Sequence, residues 1–324
     1  MSASAAKLAI FILLCFLAMP MAVAATADTP VANAEIERYG DTFADSQIGG
    51  LRAIYKQHLR EAGFPQPEVE RDIAYGEHPQ QRLDVHRTLE PTEDPAPVLV
   101  FVHGGAFVRG DKGDGEIFDN VLNYFSRHGI VGVNVNYRLA PEFQWPSGAE
   151  DLAAVLGWIR DNAGRINADP GRIFLLGHSA GAAHVAQYTF METLQPAGGA
   201  DGLAGSVLIS GVYSGSGSDS MPAYYGDDES LWPARVPSAH VDGRAVPLFI
   251  VDAQYDRLAM QKEAVDLIQA VCERDNRCPR HKQVPGHNHY SIMYSFNTAD
   301  DSIAGDVLQF IRDHGSDQAR SQQP

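Results

Sequence analysis

The sequence predicts an α/β protein, with a mostly parallel central sheet carrying helices on both faces. Three observations carry that expectation. Short, continuously apolar runs recur at 98–102, 130–135, 173–176, 207–209 and 248–251, and strands buried on both faces read this way. Between these runs lie helical patterns, clearest at Leu152, Val155, Leu156 and Ile159, which occupy one face of a 3.6-residue period. Their alternation requires crossover connections, and crossovers lay helices over both faces of a parallel sheet.

Taken in chain order, Lys7 comes first, followed by an unbroken apolar run over 8–19, then Pro20 and Ala22-Val23-Ala24. A basic residue, a short apolar segment and small residues before a cut form a secretory signal peptide, with cleavage expected near Ala24 and a periplasmic or secreted destination. The run falls short of the roughly 20 residues a bilayer span needs, so no stable membrane anchor is expected. Cys15 has Leu13 and Leu14 before it rather than the small residues of a lipoprotein site. Residues 25–67 form an N-terminal extension. Within it Leu51, Ile54, Tyr55 and Leu59 keep helical spacing, as a small cap over the sheet or as an ordinary amphipathic helix.

From Glu68 onward Val69, Arg71 and Ile73, then Leu83 and Val85, alternate with their neighbours around His78-Pro79-Gln80. That is an antiparallel hairpin at a sheet edge. Further helices are expected over 118–127, 180–194, 260–273 and 303–314, and the Ser/Gly-rich stretch 211–219 reads as a surface loop. The expected catalytic domain runs over 68–315, with 316–324 as a disordered tail.

The composition is ordinary for a globular chain, at 324 residues with 44% hydrophobic and 20% charged. With 25 Lys+Arg against 41 Asp+Glu, the formal charge of −16 would repel phosphate backbones, which excludes nucleic acid as a partner. Beyond the signal peptide only Cys272 and Cys278 remain, in Cys-Glu-Arg-Asp-Asn-Arg-Cys. In an exported chain they read as a local disulfide, contributing about 2 kcal/mol, or as two free thiols.

The chemistry concentrates in four places. Gly177-His178-Ser179-Ala180-Gly181 follows one apolar strand and opens a helix, the context that makes G-x-S-x-G a nucleophile elbow. Ser179 is the expected nucleophile, and Ala180, at the helix start, offers a backbone N–H to an oxyanion. His103-Gly104-Gly105-Ala106-Phe107 follows the strand at 98–102, and its paired glycines let Gly105 and Ala106 supply further oxyanion-hole donors. An activating acid and base must follow, acid first. Asp256 lies several residues beyond the strand at 248–251, which suits a loop carboxylate better than Asp252 does. In Gly286-His287-Asn288-His289-Tyr290-Ser291, after a short strand at 282–284, His289 is the preferred base. His281, His287 and His289 lack a carboxylate or cysteine spaced to complete a metal site, and the chemistry needs no cofactor.

With these residues assembled, the chain resembles the α/β-hydrolase fold, and within it the serine esterases related to hormone-sensitive lipase, bacterial kynurenine formamidases and feruloyl/acetyl-xylan esterases. The resemblance rests on the four blocks above together with Asn136-Tyr137-Arg138-Leu139-Ala140-Pro141-Glu142, and spans 98–296. Two departures stand out. Lipase relatives carry a third glycine where Ala106 stands and Pro-Leu where Arg257-Leu258 follows the acid, whereas Asn288-His289-Tyr290-Ser291 looks more like the formamidase and feruloyl-esterase branch. Arg138 and Glu142 are expected to brace loops by pairing. The resemblance implies a carboxylic ester hydrolase of the carboxylesterase type, acting on a small-molecule ester with a short-chain or aromatic acyl group through a Ser-His-Asp triad and an acyl-enzyme. Arylformamidase chemistry is the nearest alternative, and a silent hydrolase fold used as a binding module is the alternative of another class.

Overall fold

Burial of the central strands on both faces is what organises the molecule: β3 and β4 are buried along almost their whole length, while the edge strand β1 has no fully buried residue. The computed structural model describes residues 32–41, 45–113, 117–196, 201–215 and 220–315, so the signal peptide and tail expected above lie outside the described residues. The strands are β1 (Val69–Ala74), β2 (Arg82–His86), β3 (Ala96–Val102), β4 (Val131–Val135), β5 (Ala168–His178), β6 (Leu203–Ile209), β7 (Leu248–Tyr255) and β8 (Arg280–Asn288). Among the described residues they form one 8-stranded sheet in the order β1-β2-β4-β3-β5-β6-β7-β8. The hairpin β1–β2 and its pairing with β4 are antiparallel, and every other pairing is parallel.

In β3, Val98, Val100 and Val102 enter one core cluster and Leu99 and Phe101 the other. Burying each such side chain stabilises the fold by about 1.5–3 kcal/mol, so the strand requires cover on both sides. The first face is covered by α4 (Ser147–Ile166), α5 (Ala180–Phe190) and α8 (Leu258–Asp275), through residues such as Leu152, Val185 and Leu267. The second is covered by α3 (Asp119–Ser126) and by α10 (Ala304–His314), through Leu122, Phe125 and Phe310, with the short α9 (Ser291–Tyr294) beside them. The short helices α6 (Met221–Tyr225) and α7 (Trp232–Arg235) complete the connection from β6 to β7.

Two N-terminal helices join the second layer. The expected amphipathic segment is α2 (Asp45–Ala62), preceded by α1 (Ala32–Tyr39), which the sequence pattern did not announce. Ile36, Leu51 and Tyr55 are buried in the same cluster as the strands, so these helices share the sheet's own core.

The sheet order places a switch point between β3 and β5. The chain leaves β3 for β4 on one side and returns to β5 on the other, which opens a crevice at the carboxyl ends of these two strands, where ligands bind in open α/β sheets. Cys272 and Cys278 are joined in a disulfide that ties the end of α8 to the approach to β8.

Candidate active site

Ser179 sits in that crevice, between the last residue of β5 and the first of α5. Its backbone stands at φ 56° and ψ −122°, a sparsely populated conformation that costs on the order of 1–3 kcal/mol and that surrounding structure must impose. Its N–H donates to the carbonyl of Ile209 at 2.9 Å. The two flanking glycines permit the bend: a β-carbon on Gly177 would lie 2.5 Å from the carbonyl oxygen of Gly181, and one on Gly181 would lie 2.2 Å from that of Val102. The Ala180 N–H opens α5, where the first helical N–H groups have no intrahelical acceptor.

The loop after β3 closes over Ser179. A β-carbon on Gly104 would lie 2.9 Å from Cβ of Ser179, which measures how near the two segments run. Gly105 stands at φ +139°, and Ala106 and Phe107 follow at φ 53° and 67°. Ala106 therefore occupies a conformation that glycine adopts without strain, which gives a physical meaning to the glycine usual there in lipase relatives. Phe107 is fully buried and stacks on Tyr224 with ring centroids 4.6 Å apart, so it belongs to the core beneath the loop. The loop's far end is pinned to the sheet: Lys112 donates its backbone N–H to Asn136 Oδ1 at 2.6 Å, and its ammonium pairs with Asp72 at 2.8 Å and Asp84 at 2.9 Å.

Across the crevice, His289 Nδ1 donates to Asp256 Oδ1 at 3.0 Å, with both side chains buried. A carboxylate can only accept, so this bond places the Nδ1 proton and leaves Nε2 as the basic nitrogen. The second oxygen of Asp256 accepts from Ser210 Oγ at 2.5 Å and from the Ala253 N–H at 2.8 Å. Ser210 was not singled out from the sequence, because only the pairing of β6 with β7 brings it beside the Asp256 loop. Asp252 is engaged elsewhere, accepting from His281 Nε2 at 2.6 Å and Gln283 Nε2 at 2.8 Å. His287 is likewise turned away, with Nε2 3.1 Å from Asp300 and Nδ1 3.1 Å from Ser291 Oγ.

Two further histidines serve as braces. Burial pushes the His178 imidazole well below its ordinary range, so it is neutral. Its Nε2 donates to the carbonyl of His289 at 2.8 Å, tying the elbow to the segment that carries His289. His103 stacks on Tyr137, whose hydroxyl donates to the His103 carbonyl at 2.9 Å. The expected pairing of Arg138 with Glu142 is not what the structure shows. Arg138 pairs with Asp151 at 2.8 Å and Glu150 at 3.3 Å, while Glu142 is exposed; the N-terminal part of α4 brings two adjacent carboxylates to the guanidinium.

Ser179, His289, Gly105 and Ala106 open onto one cleft of about 310 Å³. Its outer walls come from Ile48 and Arg52 of α2, from Arg109 of the loop after β3, and from Phe118, Tyr290 and Tyr294. The N-terminal helix thus walls the cleft while packing on the core, where Tyr55 meets Tyr294 edge to face at 6.2 Å. Among the described residues no cluster of His, Cys, Asp and Glu is arranged to hold a metal ion.

Comparison with known proteins agrees with this architecture. A family model described as the alpha/beta hydrolase fold matches residues 99–242. The chain is 37% identical over 168 residues to the esterase LipC of Mycobacterium tuberculosis, covering 47% of this chain and 41% of that one. It is 32% identical over 153 residues to a probable isoprenylcysteine alpha-carbonyl methylesterase, ICMEL1, of Arabidopsis thaliana, covering 47% and 31% respectively. The match thus spans less than half the length of these curated relatives. Among solved structures, a Pyrobaculum calidifontis esterase superposes with a TM-score of 0.69 at 20% identity, over 88% of this chain and 98% of that one. The tributyrin phosphonate-inhibited esterase B from Lactobacillus rhamnosis gives 0.68 at 18% identity, over 86% and 100%. At such identities the likeness is one of fold, and the chain has the α/β-hydrolase fold.

Proposed function

We propose that this chain, an α/β hydrolase by fold, is an exported serine hydrolase that cleaves carboxylic esters of small molecules through an acyl-enzyme on Ser179. The observation that carries the reading is the strained elbow of Ser179, facing the glycine-rich loop and sharing one cleft with a histidine whose Nδ1 proton is held by Asp256. In the first half-reaction Ser179 Oγ bonds to the ester carbonyl carbon as its proton passes to His289 Nε2. The oxyanion accepts from the N–H groups of Gly105, Ala106 and Ala180, donors typically worth about 10²- to 10³-fold each in rate. Collapse breaks the carbon–oxygen bond to the alcohol, which leaves with the proton from His289. Water then adds to the acyl-enzyme, giving a proton to His289, and the second collapse returns that proton to Ser179 Oγ and releases the acid.

The names of the matched relatives support ester chemistry. Export is supported by the basic residue, apolar run and Ala-Val-Ala of the first 24 positions, and by the Cys272–Cys278 disulfide, a bond that persists in oxidising compartments.

The test is hydrolysis of p-nitrophenyl esters from acetate to decanoate, with methyl ferulate and N-formylkynurenine alongside. Turnover of at least one ester class is expected, and Ser179→Ala should lower it by on the order of 10⁴-fold or more with an unchanged circular dichroism spectrum. Esterase activity retained in the purified Ser179→Ala protein refutes the assignment. Dominant turnover of the formyl amide would move the reading to an arylformamidase.

A further inference from the structure

Ser210 keeps a hydroxyl where the backbone favours glycine. It follows the last residue of β6 and stands at φ 49°, in the left-handed region that a residue with a β-carbon enters only under strain. Ser210 is buried, and its hydroxyl donates to Asp256 Oδ2 at 2.5 Å. Backbone strain borne by a residue with a buried, bonded side chain points to a role for that side chain.

Ser210 and the residue before it hold three parts of the site at once. The Ile209 carbonyl accepts from the N–H of Ser179 at 2.9 Å, and the Ser210 N–H donates to the Val251 carbonyl of β7 at 2.8 Å. One dipeptide at the end of β6 therefore joins the elbow, the strand that leads into the acid loop, and the carboxylate of Asp256. The loop after it is held from the far side as well. Tyr213 and Ser214 donate their backbone N–H groups to the buried Glu263 carboxylate of α8, the helix that begins two residues after Asp256. Ser210 is thus fixed by contacts independent of its hydroxyl, so it imposes an orientation on Asp256 instead of following it.

Asp256 needs that restraint. The last torsion of an aspartate is broad, and rotation about it takes Oδ1 off the line to His289 Nδ1, 3.0 Å away. Oδ2 also accepts from the Ala253 N–H at 2.8 Å. That donor alone would leave the carboxylate free to swing about it, whereas two hold its plane. We propose that Ser210 is a positioning residue for the acid: its hydroxyl sets the plane of the Asp256 carboxylate, and through it the orientation and the Nδ1 proton of His289. The proposal rests on the ester-hydrolase reading above, with Asp256 as its acid. Because Ser210 acts through Asp256 and not on the ester, its effect falls on kcat and leaves KM alone.

Ser210→Ala and Ser210→Gly test it, each made in wild type and in Asp256→Asn, with hydrolysis of p-nitrophenyl acetate as the assay. Both lack the hydroxyl, but only glycine also releases the strain, so a role of the backbone alone would separate them and a role of the hydroxyl would not. Glycine also keeps the test open should alanine prevent folding. In wild type each substitution is expected to lower kcat about tenfold, the scale of a hydrogen bond to a charged group, with KM within about twofold. In Asp256→Asn, where the tautomer is already wrong, the same substitutions should cost less than about twofold, since a residue that acts through another loses its effect once that other is replaced. A merely structural contribution would cost the same in both backgrounds. A kcat within about twofold of wild type in either single variant, or the full loss repeated in the Asp256→Asn background, overturns the proposal while leaving the esterase intact. An Asp256→Asn enzyme as active as wild type, or a wild type that cleaves no ester, would instead overturn the reading on which the proposal rests.

Discussion

Replacing Asp256 with asparagine tests the proposed machinery at its most discriminating point. The carboxylate is held on both oxygens: Oδ1 faces His289 Nδ1 at 3.0 Å, and Oδ2 accepts from Ser210 Oγ at 2.5 Å and the Ala253 N–H at 2.8 Å. Asparagine has one acceptor oxygen and one donor nitrogen. Two donors already converge on the Oδ2 position, so the amide oxygen is drawn there and the amide nitrogen is turned toward His289. Nδ1 must then accept, which moves the imidazole proton to Nε2, the nitrogen required to take the proton of Ser179. The shape of the site survives while the tautomer is wrong. The expected loss in kcat is on the order of 10⁴-fold, about 5.5 kcal/mol of transition-state stabilisation. Folding should be little changed, since the donors of Ser210 and Ala253 keep their acceptor. Asp252→Asn is the matched control: its partners are His281 and Gln283, and a loss of less than about tenfold is expected, the scale of a positioning contact. Steady-state hydrolysis of p-nitrophenyl acetate by both variants decides. An Asp256→Asn enzyme within tenfold of wild type, or an Asp252→Asn enzyme more impaired than it, refutes the reasoning.

Two further outcomes follow from packing and burial. Gly181→Ala should destabilise the fold by about 3 kcal/mol and abolish turnover, because its β-carbon would lie 2.2 Å from the Val102 oxygen and 2.5 Å from that of His103, backbone atoms that cannot swing aside; urea midpoints and kcat measure both, and an active, equally stable variant contradicts the geometry. His184, buried among Phe107, Tyr137 and Tyr224, has a pKa lowered by burial from 6.5 to about 3. Its unfolded form takes up a proton that the folded form refuses, so its contribution is full above pH 6.5 and is lost as pH falls toward 3. Wild type should therefore lose about 2 kcal/mol more than His184→Leu between pH 7 and pH 5. Parallel losses in urea titrations would show that His184 is not the group responsible.

What could be read from the sequence is what the chain constrains locally. The elbow needs a strand, two glycines and a helix start within a few residues, and all three are visible around Ser179. The sheet's double-sided burial is written in its apolar runs, and the edge hairpin in the alternation about His78-Pro79-Gln80. His289 could be preferred over His287 by its place next to the last helical region; in the structure His287 is engaged by Asp300 and Ser291 and His289 by Asp256. What could not be read depends on which strands are neighbours. Ser210 reaches Asp256 because β6 lies beside β7, a fact of sheet order that no local pattern encodes. The same holds for Arg138, which takes its partners from α4 rather than from Glu142 four residues away, and for Arg52, brought to the cleft by a helix that packs against α9 far along the chain.

The loop after β3 shows how such tertiary facts complete a local motif. Its sequence offers only two adjacent glycines, and the backbone continues through Ala106 and Phe107 at positive φ, each costing roughly 1–2 kcal/mol relative to a relaxed conformation. A loop left to itself would release that strain and scatter its N–H groups. Here the Phe107 ring is locked between Tyr224, Tyr225 and His184, and Lys112 ties the loop's end to two aspartates of the edge hairpin. These contacts hold the loop in its strained form before any substrate arrives, and an oxyanion gains most from donors that need no reorganisation when charge develops. The edge hairpin, remote in sequence from Ser179, thus supports the proposed oxyanion loop by pinning its end.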